Sequence, residues 1–185
     1  YFFFDYLISI SEYYEYIKVF NPEQGGWMIE EMDYDNLVNR IFKKRNILVF
    51  KTPNYYYGYK CNKDFIFLKD LKGLYAAEQL KKIYKNNNLS EIIEIGAGIG
   101  YTCHYLQQLI KTKYTIYDLP FSSIMQAIYL MISIGEKNVH LDNEKLLKDK
   151  PSSKKIFIKL YWKIFDQEIK KNVLWFNEDS IPEID

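Results

Sequence analysis

Residues 90–106 read SEIIEIGAGIGYTCHYL. An apolar run, Ile92-Ile93-Glu94-Ile95, meets three alternating glycines, Gly96, Gly98 and Gly100, and a helical pattern follows from about 100 to 111. The run is short and bounded by turn residues, as expected for a strand buried within a parallel sheet. A strand, a glycine turn and a helix in succession set backbone N–H groups and a helix N-terminus at the carboxyl edge of a sheet. Ligands dock at such edges. One or two glycines serve a structural turn; three in alternation point to a ligand that approaches the backbone closely.

Outward from this stretch, Tyr114-Thr115-Ile116-Tyr117 predicts a second strand, closed by Asp118-Leu119-Pro120. Pro120 suits the first turn of a helix over about 121–134. Val139-His140-Leu141 and Lys155-Ile156-Phe157-Ile158 read as further short strands, and Val173-Leu174-Trp175-Phe176 as another, before Asn177. Strand–helix alternation of this kind builds a parallel α/β sheet of Rossmann-like type. Residues 1–88 differ in character. Helical periodicity is expected over 5–20 and 34–45, and a loop or hairpin region over 46–68, which holds Pro53 and Gly58. A helix over 69–85 should end at Asn86-Asn87-Asn88, because Asn tolerates left-handed geometry. The expected organisation is a mainly helical N-terminal cap region, 1–88, and a ligand-binding domain, 89–185.

Composition narrows the function classes. The chain has 185 residues, 48% hydrophobic and 26% charged, which is globular rather than disordered. A net charge of +1 gives no general attraction to nucleic acid or anionic membrane. Only Arg40 and Arg45 are arginines among 25 basic residues, which argues against readout of base edges. Cys61 and Cys103 make no disulfide framework or metal spacing, so a reducing cytoplasm is expected. The first sixteen residues lack a basic segment and do not read as a signal peptide. The uncharged run from Leu119 to Gly135 is too short to span a bilayer, so no membrane span is expected.

The glycine spacing discriminates between nucleotides. In G-x-G-x-x-G the third glycine comes one residue later, and Tyr101 stands where that dinucleotide fingerprint wants Gly. An NAD-dependent oxidoreductase is therefore disfavoured, though kept as an alternative. Glu94 precedes Gly96 by two, giving E-x-G-x-G-x-G, a form that resembles S-adenosylmethionine-dependent methyltransferases. Asp118 lies 24 residues after Glu94 at a strand end, where a carboxylate suits two ribose hydroxyls better than a phosphate.

Three stretches together resemble the putative sugar O-methyltransferases of bacteria: IIEIGAGIG at 92–100, YTIYDLP at 114–120 with Gln126 and Tyr129-Leu130, and NEDSIPEI at 177–184. The resemblance covers the second half of the chain well and residues 1–88 loosely. It implies a Rossmann-like methyltransferase domain, S-adenosyl-L-methionine as cofactor, and a sugar or glycan hydroxyl as acceptor. By position it implies that Glu94, Gly96 and Gly98 surround the methionine part of the cofactor, with Ala97 and Gly100 completing the turn. Asp118 would bind the ribose, Leu119 would lie against the adenine, and Asn177 would face the sulfonium and the acceptor. The chain stops just after the fourth of the family's usual seven strands. A domain truncated at its C-terminus is thus expected, and a non-catalytic ligand- or partner-binding module is the second alternative.

A sugar hydroxyl is a poor nucleophile and needs a base. Asp179 and Glu183, just beyond Asn177, are the best-placed candidates. His104, one turn into its helix, reads as a partly exposed helix residue, and His140 is no better placed. A metal held by Asp179, Glu183 and Asp185 is not expected, because these acids lack alternating ligand spacing. Tyr55, Tyr56, Tyr57 and Tyr59 would suit stacking on a sugar face, although 18 tyrosines in the chain explain the cluster by composition alone. The lysine-rich stretch 145–171 reads as a solvated face.

Overall fold

A computed structural model describes residues 2–17, 33–49, 59–61, 64–142, 155–168 and 171–178. The chain divides into two compact units, Tyr1–Tyr75 and Ala76–Asp185.

In the first unit, helix α1 (Phe2–Tyr13) buries Leu7 and Ile10. The sequence predicts helix to 20, but after Tyr13 the chain turns and Glu15 adopts a positive φ of 57°. Helix α2 (Tyr34–Val38) is capped by Asp33, whose side chain accepts the Asn36 N–H at 2.9 Å. It continues as a π-helical turn over Asn39–Lys43, and the two together bury Leu37, Val38, Ile41 and Phe42. The guanidiniums of Arg40 and Arg45 lie over the rings of Tyr16 and Tyr14 at 4.0 and 3.3 Å. Strands β1 (Tyr59–Cys61) and β2 (Asp64–Ile66) pair antiparallel, so part of the mixed stretch 46–68 is a hairpin.

Helix α3 (Leu68–Asn86) begins where Asp70 accepts the Phe67 N–H at 2.9 Å, and the division between the units falls inside it. Asn88, with φ 50°, takes the left-handed geometry expected of the asparagine run.

The second unit is a five-stranded, wholly parallel sheet, a Rossmann-compatible α/β arrangement. Its strands are β3 (Glu91–Ile95), β4 (Lys113–Asp118), β5 (Val139–Leu141), β6 (Ile156–Leu160) and β7 (Val173–Asn177), in the order β5-β6-β4-β3-β7. Helix α4 (Tyr101–Leu109) joins β3 to β4; helix α5 (Pro120–Leu130) follows β4 and packs on β4, β5 and β6. β3 and β4 are each paired along both edges and buried along most of their length: Ile92, Ile116, Tyr114 and Tyr117 are wholly buried. The helix predicted over 121–134 changes winding at Met131, where a π-helical turn runs to Gly135. A 3-10 stretch over Tyr161–Asp166 follows β6 and was not expected.

Gly98 and Gly100 both need left-handed backbone, with φ of +60° and +95°, yet their surroundings differ. A Cβ on Gly100 would lie 3.2 Å from Leu130 Cδ1, in the core; a Cβ on Gly98 would meet nothing within 4 Å. Gly100→Ala is therefore expected to lower the unfolding free energy by about 2–3 kcal/mol, combining strain and overpacking. Gly98→Ala should cost only about 1 kcal/mol, from backbone strain alone. Urea denaturation of the two variants checks this, and equal losses would contradict it.

Candidate functional site

β3 is flanked by β4 on one side and β7 on the other, with Ile95 in register with both Tyr117 and Asn177. β3 leads on to β4 on one side, while β7 on its other side is reached by a crossover from β6, so the strand order reverses at β3 and its carboxyl end lies at the topological switch point. The ladder extends one residue past β3, where Gly96 N–H donates to Tyr117 O at 2.9 Å. The turn then closes with Gly100 N–H on Ala97 O at 2.9 Å, and Gly98 and Ile99 stand exposed at its tip. α4 starts directly from Gly100, with no side-chain cap, so its first-turn N–H groups open at this edge.

Strand register places the side chains. Glu94, Ile116 and Phe176 share one face of the sheet, while Ile95, Tyr117 and Asn177 share the other. Asn177 Nδ2 donates to Ile95 O at 2.6 Å, which ties the end of β7 to the residue before the glycine turn. Asp118 is buried at the end of β4, and its Oδ1 accepts the Leu119 N–H at 2.8 Å. Leu119 itself is 57% exposed and offers apolar surface beside that carboxylate. Gln126, wholly buried on α5, reaches back from the helix: Nε2 donates to Gly98 O at 3.0 Å and to Asp118 Oδ2. The glycine turn, Asp118 and Asn177 thus gather at one edge.

Glu94 points into the protein. Tyr114, two residues along on the neighbouring strand, donates its hydroxyl to Glu94 Oε2 at 2.7 Å. Burial raises the Glu94 carboxyl from its ordinary 4.5 to about 8; the Tyr114 hydrogen bond opposes this, and the charges of Glu178 and Asp118 add to it. Glu94 therefore carries its proton at neutral pH. Glu178, next after Asn177, accepts the Thr102 hydroxyl of the first turn of α4 at 3.2 Å.

The sequence singled out neither Gln126's role nor Tyr114, Thr102 or Glu178. A readable signal existed for Gln126, the one amide in an uncharged and largely apolar helical stretch. Tyr114 follows from the register of β3 with β4, which periodicity does not supply. His104 is buried, 3% exposed, against the expectation of partial exposure: Tyr105 and Tyr129 pack against its ring, and its Nε2 lies 2.8 Å from Gln108 Nε2. The proposed bases Asp179 and Glu183 lie outside the described residues, as do Asp185, Tyr55, Tyr56 and Tyr57. Tyr59 donates its hydroxyl to Asp35 at 2.9 Å. Residues 145–154 and 169–170 of the lysine-rich stretch are likewise outside. Among the described residues no group of His, Cys, Asp and Glu is arranged to hold a metal ion, and no helix is long and apolar enough to cross a membrane.

The chain matches no known protein-family description, no curated protein and no solved structure.

The protonated state of Glu94 has a stability signature. Its folded value lies above its unfolded one, so the native protein keeps a proton that the unfolded chain releases. Stability then falls as pH rises from about 4.5 to about 8 and levels off above, with a slope of at most about 1.4 kcal/mol per pH unit. Glu94→Gln keeps the acceptor for Tyr114 and cannot ionise, so it should lack this decline. Urea denaturation of both proteins between about pH 5 and pH 9 should show the variant gaining several kcal/mol on the parent. Parallel pH profiles would mean Glu94 is ionised in the fold.

Proposed function

We propose that this chain binds S-adenosyl-L-methionine at the carboxyl edge of β3 and β4 and belongs to an O-methyltransferase acting on a sugar or glycan hydroxyl. The observation that carries the reading is the joining of an exposed left-handed glycine turn to a strand-end carboxylate: Gly98 and Asp118 held by one amide, that of Gln126. The residues present fit such a cofactor. Gly98 leaves open the space that a side chain would fill, Asp118 offers acceptors for a pair of ribose hydroxyls, and exposed Leu119 offers an apolar surface for adenine. Gly96, Ala97 and Gly100 shape the backbone around the methionine part, and protonated Glu94 lies beneath it as a neutral group.

When bound, the cofactor supplies an electrophilic methyl group on a sulfonium. The chain's task is then alignment of donor and acceptor, where much of the rate of a displacement resides. Asn177 fixes the end of β7 against β3 and bounds the acceptor side. A carboxylate beyond it, Asp179 or Glu183, takes the acceptor's proton in this reading.

Titration calorimetry with S-adenosylmethionine, its demethylated product and NAD tests the cofactor. Binding of the first two in preference to NAD is expected, and preference for NAD would overturn the reading. Asp118→Ala should weaken binding by about 1–3 kcal/mol through lost charge-assisted hydrogen bonds. Methyl transfer to a glycan panel, followed with radiolabelled donor, tests the acceptor class. Loss of transfer in Glu183→Gln with Asp179→Asn unaffected would identify the base.

A further inference from the structure

Gln126 sits in the middle of α5, wholly buried, among Ser123, Ala127, Tyr129 and Leu130, the other buried residues of that helix. The two atoms its amide faces, Gly98 O and Asp118 Oδ2, are both acceptors. The nitrogen and not the oxygen must therefore face them, and both of its hydrogens are engaged. Oε1, on the same amide, is buried with no hydrogen-bond partner among the described residues. Asp118 Oδ1 receives the Leu119 N–H, so each carboxylate oxygen holds one donor and keeps capacity for another. Asp118 has no ion-pair partner among the described residues to compete for that capacity. The result is a pair of carboxylate oxygens fixed to the glycine turn, each with capacity for one further donor.

We infer that Gln126 is a positioning and specificity-determining residue, which locks the Asp118 carboxylate to the glycine turn and makes this edge select a vicinal diol. The inference rests on the cofactor reading above, in which the diol belongs to the ribose. A diol brings donors to a site made of acceptors. A phosphate monoester brings further acceptors and a negative charge, which the carboxylate repels. Gln126 also couples the two halves of the site: the carbonyl of a left-handed glycine and a carboxylate on the next strand share one donor, so ordering either orders both.

The test measures calorimetric affinities for S-adenosylhomocysteine and its 2′,3′-dideoxy counterpart, in the parent and in Gln126→Leu. In the parent, removing the hydroxyls should weaken binding about 30-fold. In Gln126→Leu, affinity for the intact ligand should fall about tenfold and for the dideoxy ligand less than about threefold, so the hydroxyl dependence shrinks. Should circular dichroism show that Gln126→Leu does not fold, Gln126→Glu keeps size and polarity while setting an acid against two acceptors. It should give the same ligand-dependent loss. Unchanged affinities, or equal loss for both ligands, would reduce Gln126 to a structural residue while leaving the cofactor reading intact. Failure of the parent to bind S-adenosylhomocysteine would overturn both.

Discussion

β3 has partners on both edges, and its ladder cannot continue past Gly96. Up to that residue every backbone group is held by β4 or β7, and Gly96 N–H still finds Tyr117 O. Beyond it the chain leaves the sheet and turns into α4. Left-handed backbone at Gly96, Gly98 and Gly100 makes that exit possible within a few residues. The start of α4, the exposed tip at Gly98 and the packing of Gly100 against Leu130 all follow from where the ladder stops. So does the alignment of Asp118 and Asn177, since strands paired in parallel register end at a common edge.

Three carboxylates on these strands show how environment divides one chemistry into different roles. Glu91, at the amino end of β3, pairs with Lys113 at 2.9 Å and accepts the Thr115 hydroxyl at 2.6 Å. Glu94, three residues on and on the opposite face, meets a phenol and apolar surroundings, and keeps its proton. Asp118 is buried as well, but a backbone N–H and an amide hold its two oxygens. A paired carboxylate at one end, a neutral acid in the middle and a hydrogen-bonded carboxylate at the carboxyl edge is an arrangement set by partners, not by residue type.

The strands and the glycine turn were legible in the sequence because burial on both faces forces continuous apolar runs, and the turn forces glycine. IIEI, YTIY and VLWF could be placed to within a residue or two. The order of the sheet was not legible: β6 lies between β4 and β5, a choice made by packing across α5 and invisible to local periodicity. The π-helical turns after Val38 and Leu130 leave no compositional mark. His104 looked exposed because a polar residue near a helix start usually is; here Tyr105 and Tyr129 enclose it. At the site, the backbone elements and Asp118 were readable from motif and spacing. Gln126 was visible as a residue but not as a link, because its partners lie 28 and 8 positions away.

Tyr117 and Trp175 stack across β3 with ring centroids 6.3 Å apart and planes nearly parallel, inclined by only 8°. Each stands near the carboxyl edge of the sheet, Tyr117 directly before Asp118 and Trp175 two residues before Asn177. Because one ring rides on β4 and the other on β7, their overlap survives only while both strands keep register with β3. Two chromophores locked in such an orientation couple their electronic transitions and impose handedness on near-ultraviolet absorption. The sheet thus carries its own optical gauge: a slip of one strand, invisible in far-ultraviolet dichroism, would erase the aromatic band.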